Sequence, residues 1–459
     1  MADEVTSARP SLAPAVVGVL VACAAAAVLT LADGLPVLAR GPLGVLVAGV
    51  LVGAILASPE AGVYAVVATA PLRDLGQVWS GAPVTFMHVA LAAGVLSWGW
   101  RALRGNTDER RAPGPLALAL ALPFVAALAT MPTSLEAPKS AWYSLRLLGL
   151  WVGSVYVVSQ VRTAERLRRT LAVLVGTGAA LAALAMVQRT LPYSGLARIH
   201  VSTNVAGVDV VRPAAFYLDP NFLACLLAAA ACAALVLVAQ SPTWHRAAPW
   251  LAGAAVCLGG VLVTLSRTGI VVFAVGLAVV ALTAPRRRRV VLVAAVVAVA
   301  VAGVLLVPLA VERALTIGDT GGDASIATRT LMLESTIDML GEYWVRGTGL
   351  TAFEKAYPDY ARAGAIERVT RPHQLPLAMW AEMGLPGLLA EVAIVIAAAW
   401  AFGLRKRQGW RVEDSAVLAV LAVLATGTLF QYFMYFEPFW FALALVAAMP
   451  DRKVVHART

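Results

Sequence analysis

A chain of 459 residues with 60% hydrophobic residues, 14% charged residues and a mean hydropathy of +0.80 carries too little charge to cover a soluble globule of its size. The formal charge of +10 comes from short basic clusters between apolar runs rather than from one basic face, so nucleic acid is not an expected partner. The four cysteines (Cys23, Cys225, Cys232 and Cys257) all lie in apolar runs at spacings unlike any metal site, which argues against disulfides and against thiolate-bound metal.

Taken in chain order, the apolar runs predict an all-α, polytopic integral membrane protein of about 12–14 transmembrane helices. A crossing needs about 20 residues, since each adds about 1.5 Å against roughly 30 Å of hydrocarbon. The N-terminal MADEVTSARPSLAP is long and partly acidic, so the run behind it reads as a retained first span rather than a cleaved signal. On that ruler, spans fall near 13–33, 41–58, 61–72, 84–103, 115–131, 141–161 and 167–189. A second series falls near 213–240, 247–265, 268–284, 290–310, 374–402, 415–432 and 437–450. The third, 61–72, is short.

Alternate loops hold the basic clusters, among them Arg101 to Arg111, Arg162 to Arg169, Arg286 to Arg289 and Arg405 to Arg411. The positive-inside rule then places both termini in the cytoplasm. With no internal repeat and no low-complexity linker, residues 1–459 read as one membrane domain. One large loop, 311–373, falls on the extracytoplasmic side. Within it, 329–344 puts Leu333, Ile337, Leu340 and Trp344 at helical spacing, which predicts an amphipathic helix lying on the outer leaflet, capping the bundle or packed on its own loop.

A charge near mid-membrane costs at least about 2.5–3.5 kcal/mol, so each one close to a span needs a reason. Three stretches share the outer side: RPAAFYLDPN with Arg212, Asp219 and Asn221, LSRTG with Arg267, and RPHQLPLAMWAE with Arg371, His373 and Glu382. Each arginine taken singly also reads as one that snorkels to lipid headgroups, and Asp219 and Asn221 also read as a local cap at Pro220. Arg146, one turn into the expected sixth span, stays unassigned between snorkelling and function.

Together these groups suit an anionic lipid. Arginine forks bind phosphate oxygens in pairs and stay charged, so they would stabilise a departing pyrophosphate during glycosyl transfer. His373 would take the proton of an incoming hydroxyl, with Glu382 as rival base or as its orienting partner. A metal-dependent variant would need carboxylates, for which Asp319 and Asp323 are the best candidates, against the plainer reading of a solvated loop. No Walker, HExxH or dinucleotide motif is present, and no cofactor is expected.

At these residues the chain resembles the O-antigen ligase and O-antigen polymerase family of bacterial membrane glycosyltransferases. The resemblance rests on Arg212 shortly before Pro220 and Asn221, on the Ser266–Arg267 turn, and on RGTGLTAF at 346–353. It ends on His373, Glu382, Gly384 and Gly387 within PHQLPLAMWAEMGLPG. Gln374 departs from the asparagine common there, and fourteen spans exceed the twelve usual for the ligases. The resemblance implies a metal-independent, inverting transferase in the bacterial cytoplasmic membrane, with an undecaprenyl pyrophosphate-linked glycan as donor and a glycan, lipid or cell-wall acceptor. In it Arg212 and Arg267 would grip the pyrophosphate and His373 would act on the acceptor. Competing readings are a polysaccharide polymerase joining lipid-linked repeats, a secondary transporter and a flippase; a transporter tends to carry its charges at the midplane of matched halves, which this sequence lacks.

Overall fold

A computed structural model describes residues 24–25, 37–72, 84–105, 114–191, 201–205, 208–217, 219–285, 288–289, 324–365 and 371–448. Of the expected span at 13–33 only residues 24–25 are described, and the span at 290–310 and the candidate carboxylates Asp319 and Asp323 lie outside the described residues. The chain is an all-α polytopic membrane protein, with a single two-stranded ribbon among the described residues. It divides into two units, Met1–Arg110 and Arg111–Thr459.

In the first unit, α1 (Val37–Ala57), α2 (Pro59–Thr69) and α3 (Phe86–Leu103) pack on one another. The short third span of the sequence reading is α2 plus a 3-10 turn, Ala70–Leu72. Its eleven residues make about 16 Å of helix, well under the roughly 30 Å of a full crossing. Thr85 caps α3, and His88 returns the bond by accepting from the Thr85 amide at 3.2 Å.

The second unit holds α4 (Pro115–Ala119), α5 (Leu122–Thr130), α6 (Ala137–Gln160), α7 (Ala164–Thr190), α8 (Pro220–Gln240), α9 (Trp244–Val263) and α10 (Arg267–Thr283). They are followed by α11 (Ala324–Tyr343), α12 (Phe353–Ala356), α13 (Leu375–Gln408), α14 (Val412–Thr428) and α15 (Glu437–Ala448). Among the described residues, six segments are long and apolar enough to cross a membrane: Pro115–Thr133, α6, α7, α8, α9 and α13. The first of these is broken at Leu120–Ala121, just ahead of Pro123, where the sequence suggested one continuous helix.

α8 is the axis of this unit. Nearly every side chain from Leu223 to Ala239 is buried, most of them alanine, leucine or cysteine, and α7, α9, α10 and α14 surround it. The neighbours approach through glycines: a Cβ added at Gly178 would lie 2.7 Å from Ala230 Cβ, and one at Gly260 would lie 2.7 Å from Leu227 Cδ2's twin methyl, Cδ1. With lipid outside, close backbone approach and dispersion hold such helices together. Cys225, Cys232 and Cys257 are free thiols buried in this packing.

Two local departures matter for the site. The segment ahead of the expected eighth span is a hairpin, β1 (Val201–Val205) with β2 (Val208–Arg212), and α8 itself begins at Pro220 and not near 213. The hairpin's β-branched residues favour extended backbone over helix. In α11 the face expected from Leu333, Ile337, Leu340 and Trp344 is rotated: Met332, Met339 and Leu340 pack on Phe353, Tyr357 and Ala381, while Ile337 and Trp344 are about half exposed. The helix thus packs on its own loop and on α13.

Candidate active site

Arg212 ends β2 and is buried, and a guanidinium out of water needs partners. Its Nε donates to the Thr264 carbonyl at the end of α9 (2.9 Å), and its Nη2 donates to Asn221 Oδ1 at the start of α8 (3.0 Å). The same Oδ1 accepts from Ser266 Oγ at 2.7 Å. Ser266 also caps α10, accepting from the Gly269 amide at 3.0 Å, and so fixes the turn that presents Arg267. Asp219 caps α8 by accepting from the Asn221 amide at 2.7 Å, as its place before Pro220 suggested. One asparagine oxygen therefore joins the starts of α8 and α10 to Arg212.

Gln188, near the end of α7, clamps the link between β2 and α8. Its Oε1 accepts from the Ala215 amide (2.9 Å) and its Nε2 donates to the Ala215 carbonyl (3.2 Å). Ala215 has φ 50°, Leu265 beside Ser266 has φ 52°, and Thr351 has φ 61°. These are the non-glycine residues with left-handed backbone among the described residues, and all three adjoin candidate site residues. Each such residue costs of order 1–3 kcal/mol and persists only where its surroundings hold it.

Thr351 belongs to a segment docked into a break in α13. Gly384 has φ 58° and ψ −152°, a conformation open only to glycine, and it divides α13 into two arms. Into the gap runs 345–349: the Thr348 amide donates to the Ala381 carbonyl (3.0 Å), the Gly349 amide to the Glu382 carbonyl (2.8 Å), and the Leu385 amide to the Val345 carbonyl (3.1 Å). A Cβ on Gly384 would collide with the Val345 carbonyl, and one on Gly347 with the Glu382 carbonyl. The other side of the segment is tied to α6, where Ser140 Oγ donates to the Leu350 carbonyl at 2.9 Å.

This clasp buries Glu382 completely. Its Oε2 accepts from the Thr351 amide (2.9 Å) and from the Tyr432 hydroxyl (3.0 Å), while Oε1 has no hydrogen-bond partner among the described residues. Tyr432 and Tyr435 lie in the turn between α14 and α15. Burial, and then the Glu382 carboxylate, hold both phenols well above their ordinary titration range. Arg371 lies over the Tyr432 ring at 5.1 Å, and Arg146 lies over Tyr435 at 5.0 Å and Tyr143 at 5.4 Å. His373 is pushed down to about 4 by burial and by the charges of Arg329 and Arg371, so its imidazole is neutral at pH 7.

Aromatic contacts join the two groups of residues. Phe222, next to Asn221, packs edge-on against Phe433 and Phe436 at 5.1 Å each, within the turn that carries Tyr432 and Tyr435. The starts of α6, α8, α10, α13 and α15 and the ends of α7, α9 and α14 therefore meet at one end of the second unit. Of the residues singled out in the sequence, Arg212 and Asn221 bond to each other and to the Arg267 turn. Arg371 and His373 stand together on the approach to α13, and Glu382 is reached through Tyr432. No hydrogen bond joins Glu382 to His373 among the described residues. Gln188, Tyr432 and Tyr435 were not read from the sequence; a lone amide late in an apolar helix was the one available signal for Gln188.

Residues 252–392 match the family model Wzy_C, described as O-antigen ligase. That stretch includes Arg267, the docked segment, His373, Glu382 and Gly384, and leaves Arg212, Asn221 and Tyr432 outside. No curated protein matches the chain.

Proposed function

We propose that the chain, whose residues 252–392 match the O-antigen ligase family model, transfers a glycan from an undecaprenyl pyrophosphate-linked donor to an acceptor hydroxyl. The work would be done at the outer face of a bacterial cytoplasmic membrane, with both termini cytoplasmic. The observation that carries the reading is the bonding of Asn221 Oδ1 to Arg212 and Ser266 together. It gathers two arginines distant in sequence at the end of the unit where His373 and Arg371 also stand.

In this mechanism the acceptor oxygen attacks the anomeric carbon, the bond from that carbon to the diphosphate oxygen breaks, and the electron pair leaves with the diphosphate. Attack from the face opposite the leaving group inverts the anomeric centre. Arg267, presented by the capped turn, and Arg212 behind it supply fixed positive charge to the leaving group. The imidazole of His373 takes the proton of the acceptor hydroxyl. A group held near 4 is a weak base, but a diphosphate dianion beside Arg371 would offset the charges that depress it and raise its proton affinity. Donor binding would thereby prime the base.

Glu382 fits a positioning role better than that of base, since one oxygen already fastens Thr351 and Tyr432. Ligase and polymerase share this chemistry and differ in the acceptor, which is a lipid, glycan or wall component for the first and a second lipid-linked repeat for the second. The concentration of cations at one end, rather than midway along broken helices, favours transfer over transport.

The test is His373→Ala expressed at normal level in cells. Lipid-linked glycan should accumulate while surface glycan disappears, with Arg267→Ala giving the same result and Arg267→Lys a partial one. Unchanged surface glycan in the His373 variant would end the assignment.

A further inference from the structure

Arg146 is the tenth residue of α6, about 13 Å along the helix from its start. Most cations of this unit have acidic or carbonyl partners. Lys139, two turns earlier on α6, is paired with Glu136 and Glu354, and Arg362 with Glu334 and Asp338. Arg146 and Arg371 differ. Among the described residues neither has a hydrogen bond or an ion pair: Arg146 lies on the rings of Tyr143 and Tyr435, and Arg371 lies on that of Tyr432 with His373 and Glu382 in its electrostatic reach.

A guanidinium lying on a ring keeps its N–H donors in its own plane, directed past the ring edge. The two stacks come from α6 and from the approach to α13, and they converge on a single turn, where Tyr432 and Tyr435 have ring centroids 6.3 Å apart. The Tyr435 hydroxyl lies within electrostatic reach of Arg146 and Arg371 alike. Glu382 lies within electrostatic reach of Arg371 but is hydrogen-bonded to Tyr432 and Thr351 and to neither arginine. Two cations so placed repel each other unless an anion shares them, and inside a membrane protein an unneutralised cation is expensive.

We propose that Arg146 and Arg371, carried on Tyr435 and Tyr432, form a binding site for a multi-oxygen anion of the lipid-linked glycan or its acceptor. This rests on the transfer reading and adds to it a residue, Arg146, that lies outside both the O-antigen ligase match and the sequence-derived site. The shared chemistry is an oxyanion gripped by two planar forks. It has two possible sources: the donor's diphosphate, or the carboxylate of an acidic sugar.

Titration of the full-length protein in detergent, at fixed low salt, distinguishes them with inorganic pyrophosphate and trigalacturonate as probes and maltotriose as the neutral control. Wild type should bind at least one anion and not maltotriose. Arg146→Gln and Arg371→Gln should each weaken that anion at least tenfold, with Arg146→Lys intermediate because it keeps the charge and loses the fork. Weakened pyrophosphate identifies the donor as the source, and weakened trigalacturonate alone identifies an acidic sugar. Tyr435→Leu, which retains both charges, should weaken the same anion by removing the platform. Anion affinity indifferent to Arg146 in a variant that melts with wild type, or no anion binding by wild type, overturns the site. These titrations need no turnover, so failure here leaves the His373 result untouched, and the converse holds.

Discussion

The imidazole of His373 is held neutral by its surroundings, burial first and then Arg329 and Arg371, which together bring it down to about 4. Its folded value is below the ordinary one near 6.5, so the unfolded chain binds this proton more readily than the folded chain does. The stability this group contributes is complete above about 6.5 and is lost as pH falls through about 4. For the proposed transfer, the base form persists through the neutral range, and the acid limb of the rate belongs near pH 4 in the free protein. Arg329→Gln removes one of the two charges without touching the proposed substrate contacts. It should move that limb upward only in part, since burial, the larger cause, remains. A pH–rate profile from 3.5 to 8 for both proteins checks this; coincident limbs would mean that Arg329 does not act on His373.

At the scale of elements, the two glycine-bearing motifs of the sequence are one structure. RGTGL at 346–350 and EMGLPG at 382–387 meet backbone to backbone, and Gly384 takes a conformation that side chains exclude. Gly384→Ala should lower stability by about 2–4 kcal/mol, from backbone strain together with the clash against the Val345 carbonyl. Gly149→Ala in α6, where an added Cβ meets nothing within 4 Å, should be neutral or raise stability by up to about 1 kcal/mol. Melting in detergent compares the two, and equal melting of the Gly384 variant and wild type would contradict the clasp.

The sequence showed that these motifs belong together through resemblance alone, because residues some 35 apart carry no local sign of docking. The apolar stretch PAAFYL continued the hydropathy of α8, so its first turns were read as helix. The break depends on Ala215 being clamped by Gln188, 27 positions away. Tyr432 and Tyr435 were hidden in the same way, as aromatic residues between two apolar runs. What could be read locally was the cap at Asp219 and the turn at Ser266 and Arg267.

For the second unit as a whole, the site depends on helices that meet at their ends while packing along their lengths on α8. Its small side chains allow four neighbours to approach at backbone distance, and Asn221 sits at the tip of that axis, so tight packing below supports the alignment above. Gly276 on α10 tests this. A Cβ there would lie 2.6 Å from Cys232 Sγ and would collide with Val423, so Gly276→Leu drives a branched side chain between α10, α8 and α14. Overpacking of this kind costs about 1–3 kcal/mol or more. By contrast, Leu389 on the second arm of α13, after Gly384, is 58% exposed on a face that also shows Val392, Ile396 and Trp400. Those side chains meet lipid, and Leu389→Ala should change stability by less than about 0.5 kcal/mol. The expected outcome is a clear fall in melting temperature and in membrane abundance for the Gly276 variant, with the Leu389 variant indistinguishable from wild type. If Gly276→Leu melts with wild type, the helices around α8 are not in backbone-close contact, and the alignment of Arg212 with the Arg267 turn needs another support.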